Sequence, residues 1–365
     1  MKKKTIYITL LIMLFSLTTI HANESKVTPV ENGLKELRVE DAIIKAQQRS
    51  KKLRMQGTNV EYAKVNKEAA KENYYNSWDI GFEQASASYS KATANETYER
   101  KNEEVIAEQV GYEIETQFDD ILELEEKYQV GYANLNIQKQ KLNHAIKKEE
   151  LGVGSTIATK AEKTKLQVQN KDMEGLIQAI DTGYRKLNDA IGGKDERYIL
   201  VKENIYAPLD MKRSLQGQVS HAINNDIGLW LQEEIAESDK TAFIAQGPDG
   251  GAPTYTLYQQ RKLSYAQAIN NVSLTKEGKE EQIKQIYENI QALEIQHDKI
   301  VIDLEEAQRQ YNIMKKRYDL GMITLINLEE LELGIIQNQA QLSSTIRTHN
   351  QLKMVFEKSY LGTAK

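Results

Sequence analysis

The sequence predicts an all-α protein made of elongated antiparallel coiled-coil hairpins, arranged as a tandem duplication. Three observations carry this. The chain has only 4 prolines in 365 residues, so most of it is free of the residue that breaks helices. From Ile283 the seam residues recur in alternating steps of three and four: Ile283, Ile286, Ile290, Leu293, His297, Ile300, Leu304, Ala307, Tyr311, Met314 and Tyr318. Such spacing marks a helix under-wound to about 3.5 residues per turn against a partner helix. A matching seam (Ile114, Gln117, Ile121, Leu124, Tyr128, Gly131, Leu135, Gln138, Leu142, Ala145) lies 169 residues earlier, in one register with the first.

Taken in order, residues 1–22 read as a secretory leader. Lys2, Lys3 and Lys4 precede an apolar run from Ile6 to Ile20, and cleavage is expected after Ala22. The run is short for a membrane span, which needs about 20 apolar residues. Its removal takes the net charge from −5 to −8, and a mildly acidic exported chain is a poor match for nucleic acid or anionic membrane. With Cys 0 there are no disulfides, thiolate metal sites, catalytic thiols or lipid-modified cysteine. A mean hydropathy of −0.60 excludes a polytopic membrane protein.

Residues 23–193 and 194–365 are then the two helical repeats. Each opens with a leading helix (39–78; 209–245), in which Ala42-Ile43 is echoed by Ala222-Ile223. A long helix follows (96–151; 263–320), then a tight turn and a return helix (157–191; 325–361). Leu151-Gly152 lies 169 residues before Leu320-Gly321, and Gly193 stands the same distance before Gly362. Pro208 and the loop around Pro248 and Pro253 mark breaks in the second repeat. Long helices of this length extend roughly 84 Å, whereas a compact globule of this chain length has a radius of gyration of about 20 Å. The expected shape is a rod.

At Gly152-Val153-Gly154-Ser155 and Gly321-Met322-Ile323-Thr324 the heptads stop and restart. A glycine just past a helix end closes it in the left-handed conformation. Ser155 or Thr324, three residues on, can accept from the free amides opening the next helix. Each bend alone is an ordinary helical hairpin; two matching apolar tips at one end of a rod make a docking surface.

Nothing points to an enzyme. His144, His221, His297 and His349 lack ligand spacing, and His297, on the seam, is expected to set register. There is no phosphate-cradling Gly-Lys-Ser/Thr motif, so energy must come from a partner. Catalytic residues, metal ligands and cofactors are therefore all expected to be absent. The Gly247–Gly251 stretch reads as a flexible loop, and Glu123, Glu125 and Glu126 as a solvated helix face.

These features resemble the TolC-like outer-membrane efflux proteins, tandem duplications of a helical unit with a tip motif Tyr-x-x-Gly-x-x-(Ser/Thr)-x-x-(Asp)-(Leu/Val). The stretch Tyr318-Asp319-Leu320-Gly321-Met322-Ile323-Thr324-Leu325-Ile326-Asn327-Leu328 is similar to it, and 37–46 is similar to the family's opening. The resemblance covers residues 37–362. It implies a homotrimer whose helices line a hollow tube, fed by an inner-membrane pump through a helical-hairpin (periplasmic-type, membrane-fusion) adaptor, with no nucleic acid. It makes Gly152, Val153, Gly154, Ser155, Gly321, Met322, Ile323 and Thr324 the adaptor contacts. The acidic constriction inside the second tip maps to Asn327 and Glu330, of which only Glu330 keeps a charge; Ala158 stands where the first tip often has aspartate.

One departure is large. Membrane strands need about 9–11 alternating residues, and neither 81–91 nor 255–262 supplies a lipid-facing row. Both read as loops or helix extensions, so the chain looks like a family member reduced to its helical body. The expected function is a passive envelope conduit for small molecules or peptides in an efflux or export assembly. It would sit in the outer membrane or periplasm where there is one, and otherwise outside the cytoplasmic membrane. The alternative is a coiled-coil spacer or tether of the envelope that transports nothing.

Overall fold

In the computed structural model the described residues are 34–77, 82–194, 196–245 and 255–363. The expected leader and the Gly247–Gly251 loop lie outside them. Strand β1 (Lys35–Arg38) leads directly into helix α1 (Val39–Arg49). Ser50 then breaks the chain and caps α2 (Lys51–Asn76), its Oγ accepting from the Leu53 amide at 3.2 Å. So the first leading helix, expected as one piece, is two. The same holds in the second half, where α5 (Leu215–Asn224) and α6 (Ile227–Ala245) meet at Asp226, whose carboxylate accepts from the Leu229 amide at 2.7 Å.

The long helices exceed expectation. Helix α3 (Phe82–Glu150) has 69 residues and α7 (Tyr255–Asp319) has 65, each about 100 Å long. Residues 82–91 and 255–262, where barrel strands would fall in the resembled family, are the opening turns of these helices. The return helices are α4 (Thr156–Ile191) and α8 (Leu325–Glu357), followed by a 3₁₀ turn at Ser359–Thr363. Gly193 and Gly362 are not alike: α4 closes on Gly192 at φ 73°, while Gly362 lies within the 3₁₀ turn.

The seams sit where the spacing places them. Ile114, Ile121, Leu135, Ile283, Ile286, Ile290 and Ile300 are buried, and the other seam residues are half-buried save Gly131, which is buried, and Tyr318, at the margin of exposure. Two cores result. One joins Val39, Ala42, Ile114, Phe118, Ile121 and Leu187; the other joins Val219, Ala222, Ile283, Ile290, Phe356 and Leu361. Each ties a short leading helix to the middle of a long helix and to the far part of its return helix.

Between the cores runs a segment that periodicity does not signal. Strand β2 (Tyr198–Val201) pairs in parallel with β1, Lys35 opposite Tyr198 and Arg38 opposite Val201. The chain then crosses α8 and α7 as an extended strap. Asn350 donates to the Ile205 carbonyl at 3.1 Å, Lys353 to that of Ala207 at 3.1 Å, and the Leu209 amide to Glu294 at 2.6 Å. Tyr206 stacks on His297 with ring centroids 3.5 Å apart. His297 therefore holds the strap as well as lying on its seam. His349 is completely buried beside them, 3.2 Å from Glu294.

The packing order differs on the two sides of the cores. Below the cores α4 packs on α3, α3 on α8 and α8 on α7; above them α2 packs on α3, α3 on α6 and α6 on α7. Among the described residues α4 has no comparable contact with α8 or α7, nor α2 with α7. The helices thus form an open layer with α2 and α4 along one edge and α7 along the other.

Glu123, Glu125 and Glu126 are not a solvated face. Arg347, its side chain 5% exposed, donates from Nη1 to Glu126 Oε1 at 2.9 Å and from Nη2 to Oε2. Glu123 pairs with Lys127 and accepts from Ser344. Glu125 meets the Tyr184 hydroxyl at 2.8 Å, and burial pushes its carboxyl above the ordinary range. Helix charge patterns signal solvation only when nothing packs on them, and here α4 and α8 do.

Candidate functional site

Both bends are built the same way. At the first, the Gly152 amide donates to Glu149 at 2.9 Å and the Val153 amide to Lys148 at 2.9 Å. At the second, Gly321 donates to Tyr318 at 2.8 Å and Met322 to Arg317 at 2.9 Å. This pair of bonds is a Schellman closure, and Gly152 at φ 72° and Gly321 at φ 73° supply the left-handed residue that it requires. Lys147 and Lys148, and Lys316 and Arg317, sit in the last turns, where the helix dipole favours cations.

Gly154 adds a third bond to Lys148 at 2.8 Å, and a Cβ there would lie 2.9 Å from the Glu149 nitrogen. The first bend is therefore drawn tighter than the second, where half-buried Ile323 occupies the equivalent place. Ser155 Oγ accepts from the Ala158 amide at 3.2 Å, opening α4. Thr324 Oγ1 accepts from the Asn327 amide at 3.4 Å and donates to Asn327 Oδ1 at 2.6 Å. Asn327 is thus turned back into the cap of α8.

The turns present apolar side chains to solvent. Leu151 (77% exposed), Val153 and Ile157 flank one bend; Leu320, Met322 (71%) and Leu325 flank the other. Leu151, Ile157, Leu320 and Leu325 were not among the expected contacts. Their signal was present: apolar residues off the seam register beside a turn have no partner within the hairpin.

Side chains from 140 to 351 fix the two bends at one end. Gln140 donates to Glu329 at 2.7 Å, Lys141 pairs with Glu330 at 2.6 Å, and further along Gln351 donates to Asp119 at 2.8 Å. Helix α8 therefore runs antiparallel to α3 with its start beside the end of α3. Glu330, the remaining acidic residue expected at a constriction, is compensated by Lys141, a partner 189 residues away that no local spacing reveals.

The bend hydroxyls, Ser155 and Thr324, cap α4 and α8, and what the bends offer to solvent is apolar contact on a rigid hairpin. Among the described residues no cluster of three His, Asp or Glu is placed to hold a metal. A groove of about 600 Å³ between α3 and α4 is lined by Asp120, Glu123, Lys127 and Lys186, a mixed-charge surface. Burial and neighbouring Glu123 and Asp119 push the Asp120 carboxyl up.

Comparison with solved structures identifies the architecture. The outer membrane protein VceC from Vibrio cholerae superposes with a TM-score of 0.65 at 15% identity, over 89% of this chain and 96% of that one. CusC, whose structure describes transmembrane channel formation, matches at 0.66 and 11%, over 90% and 92%. The Campylobacter jejuni CmeC outer membrane channel matches at 0.66 and 10%, over 87% and 85%. The chain has the TolC-type channel fold. No protein-family model matches the sequence, and no curated protein does. On this fold the bends described above are the ends of the two long hairpins. No helix among the described residues is long and apolar enough to cross a membrane.

Proposed function

We propose that the chain is a conduit subunit of an efflux or export assembly, acting as a homotrimer in the cell envelope with a hairpin adaptor and an inner-membrane pump. The observation that carries this is the open helical layer with both apolar bends at one end. A layer open at both edges leaves apolar side chains in water: Met55, Tyr62 and Val65 on α2, Val168 on α4, and Ile295, Ile302 and Ile313 on α7. Covering each such side chain is worth about 1.5–3 kcal/mol, and the edges of neighbouring copies are the surfaces placed to do it. The count of three comes from the resemblance, and the outer-membrane channels among the similar structures support an envelope setting.

The two cores, built from residues 169 apart in α3 and α7, support a duplicated unit with its halves meeting near residue 193. The exposed bends fit the hairpin ends of an adaptor, with Gly152 to Ser155 and Gly321 to Thr324 in contact; Asn327 and Glu330 lie just inside.

Two measurements test the proposal. Light scattering of the purified mature chain gives a trimer; a monodisperse monomer overturns the conduit and returns the chain to an envelope spacer. V153E and M322E abolish pull-down of the adaptor while helicity is kept; unchanged capture by both variants overturns the tip assignment.

A further inference from the structure

We infer that the cup at the joint between α5 and α6 is a glycan-binding site that takes an uncharged pyranose ring. Lys101, Glu104 and Glu108, on one face of α3, wall it on one side. The joint itself, Trp230 in the first turn of α6 and Tyr360 of the 3₁₀ turn close the rest around about 320 Å³. Small-ligand sites occupy about 300–1,000 Å³.

The walls are set by the protein's own contacts. The Tyr360 hydroxyl donates to Glu108, Lys358 donates to the same carboxylate at 2.9 Å, and Gln109 donates to the Tyr360 carbonyl at 2.8 Å. These bonds pin the 3₁₀ turn to α3. Asp226 accepts from the Leu229 amide at 2.7 Å and pairs with Lys279, which fixes the joint to α7. Half-buried Trp230 turns the flat of its ring to the cavity, because the Lys101 ammonium, another lining group, lies over it 5.1 Å from the centroid.

Charge and hydrogen-bonding capacity select the occupant. Glu108 is matched by Lys358 and Asp226 by Lys279, which leaves one cation, Lys101, against one carboxylate, Glu104. No net charge is left to attract an ion of either sign, so the occupant is neutral. The side chains of Glu104 and Asn224 and the Trp230 indole N–H make no hydrogen bond among the described residues. A carboxylate accepts, an amide does both, and an indole N–H donates. Neighbouring ring hydroxyls call for that mixture, and the C–H face of a pyranose calls for a flat aromatic ring. An apolar ligand would strip water from these groups without replacing its hydrogen bonds. The site needs neither trimer nor adaptor. The envelope setting proposed above bears only on the source of the ring, amino-sugar strands of a wall or free hexose oligosaccharides.

Isothermal titration of the full mature chain with the trimer of N-acetylglucosamine and with the trimer of glucose tests this. Saturable binding of at least one is the expected result, and the one preferred identifies the source. W230A weakens it on the order of 30-fold. W230F, which keeps a ring face and loses the donor, weakens it about five-fold. E104A/N224A, both on exposed side chains, weakens it at least as much with circular dichroism unchanged. In W78F, where Trp230 is the remaining tryptophan, emission shifts to the blue on titration. V153E and M322E bind as wild type does, so loss of the tip assignment and loss of this site are read separately. No saturable heat with either trimer, binding unchanged in both W230A and E104A/N224A, or fixed emission in W78F overturns the inference.

Discussion

Replacing Gly321 by alanine isolates the backbone cost of the bend. A Cβ built at Gly321 meets no atom within 4 Å, so nothing steric adds to the penalty of its φ of 73°. An alanine forced into the left-handed region costs about 1–2 kcal/mol. Gly334, inside α8, also has open space around its Cβ position but helical backbone. There alanine removes the entropy cost of glycine and stabilises by about 1 kcal/mol. The two substitutions are chemically identical and are expected to differ by roughly 2–3 kcal/mol in opposite directions. Urea unfolding followed by circular dichroism measures both. A G321A variant as stable as wild type, or shifted the same way as G334A, would refute the assignment of left-handed closure to this bend. G152A, whose φ is 72° and whose surroundings are also empty, is expected to follow G321A.

Three further outcomes are expected. Phe118 is fully buried in the first core, so F118A is expected to cost about 3–5 kcal/mol in the same urea assay. E126A leaves the Arg347 guanidinium in the interior without its bidentate partner and is expected to cost on the order of 3 kcal/mol, while the double replacement E126L/R347M recovers most of it. Burial raises Glu125 in the folded chain, so folding takes up a proton between the ordinary carboxylate value and the raised one. Its contribution to stability is lost as pH rises through that window and regained as pH falls; urea midpoints across pH are expected to show a shallower slope for E125Q.

The chemistry behind that last expectation was not legible in the sequence. The Tyr184 hydroxyl lies 2.8 Å from both Glu125 Oε1 and the Tyr198 carbonyl. One phenolic proton serves only one of them, and a protonated Glu125 satisfies the other by donating back. Nothing at positions 125, 184 and 198 foretells this, because the three come from separate elements.

Periodicity decided the rest by itself. Steps of three and four allow one solution, a helix with a buried stripe, and glycine followed by serine or threonine allows one bend; hence the long helices, the seams and both turns were legible. Strand pairing of β1 with β2, the strap over His297 and the Lys141–Glu330 pair all depend on contacts between residues far apart in the chain. Local spacing records only what one element presents on its faces. Which face meets which neighbour, and which edges of the layer stay open, is settled only when the whole chain packs.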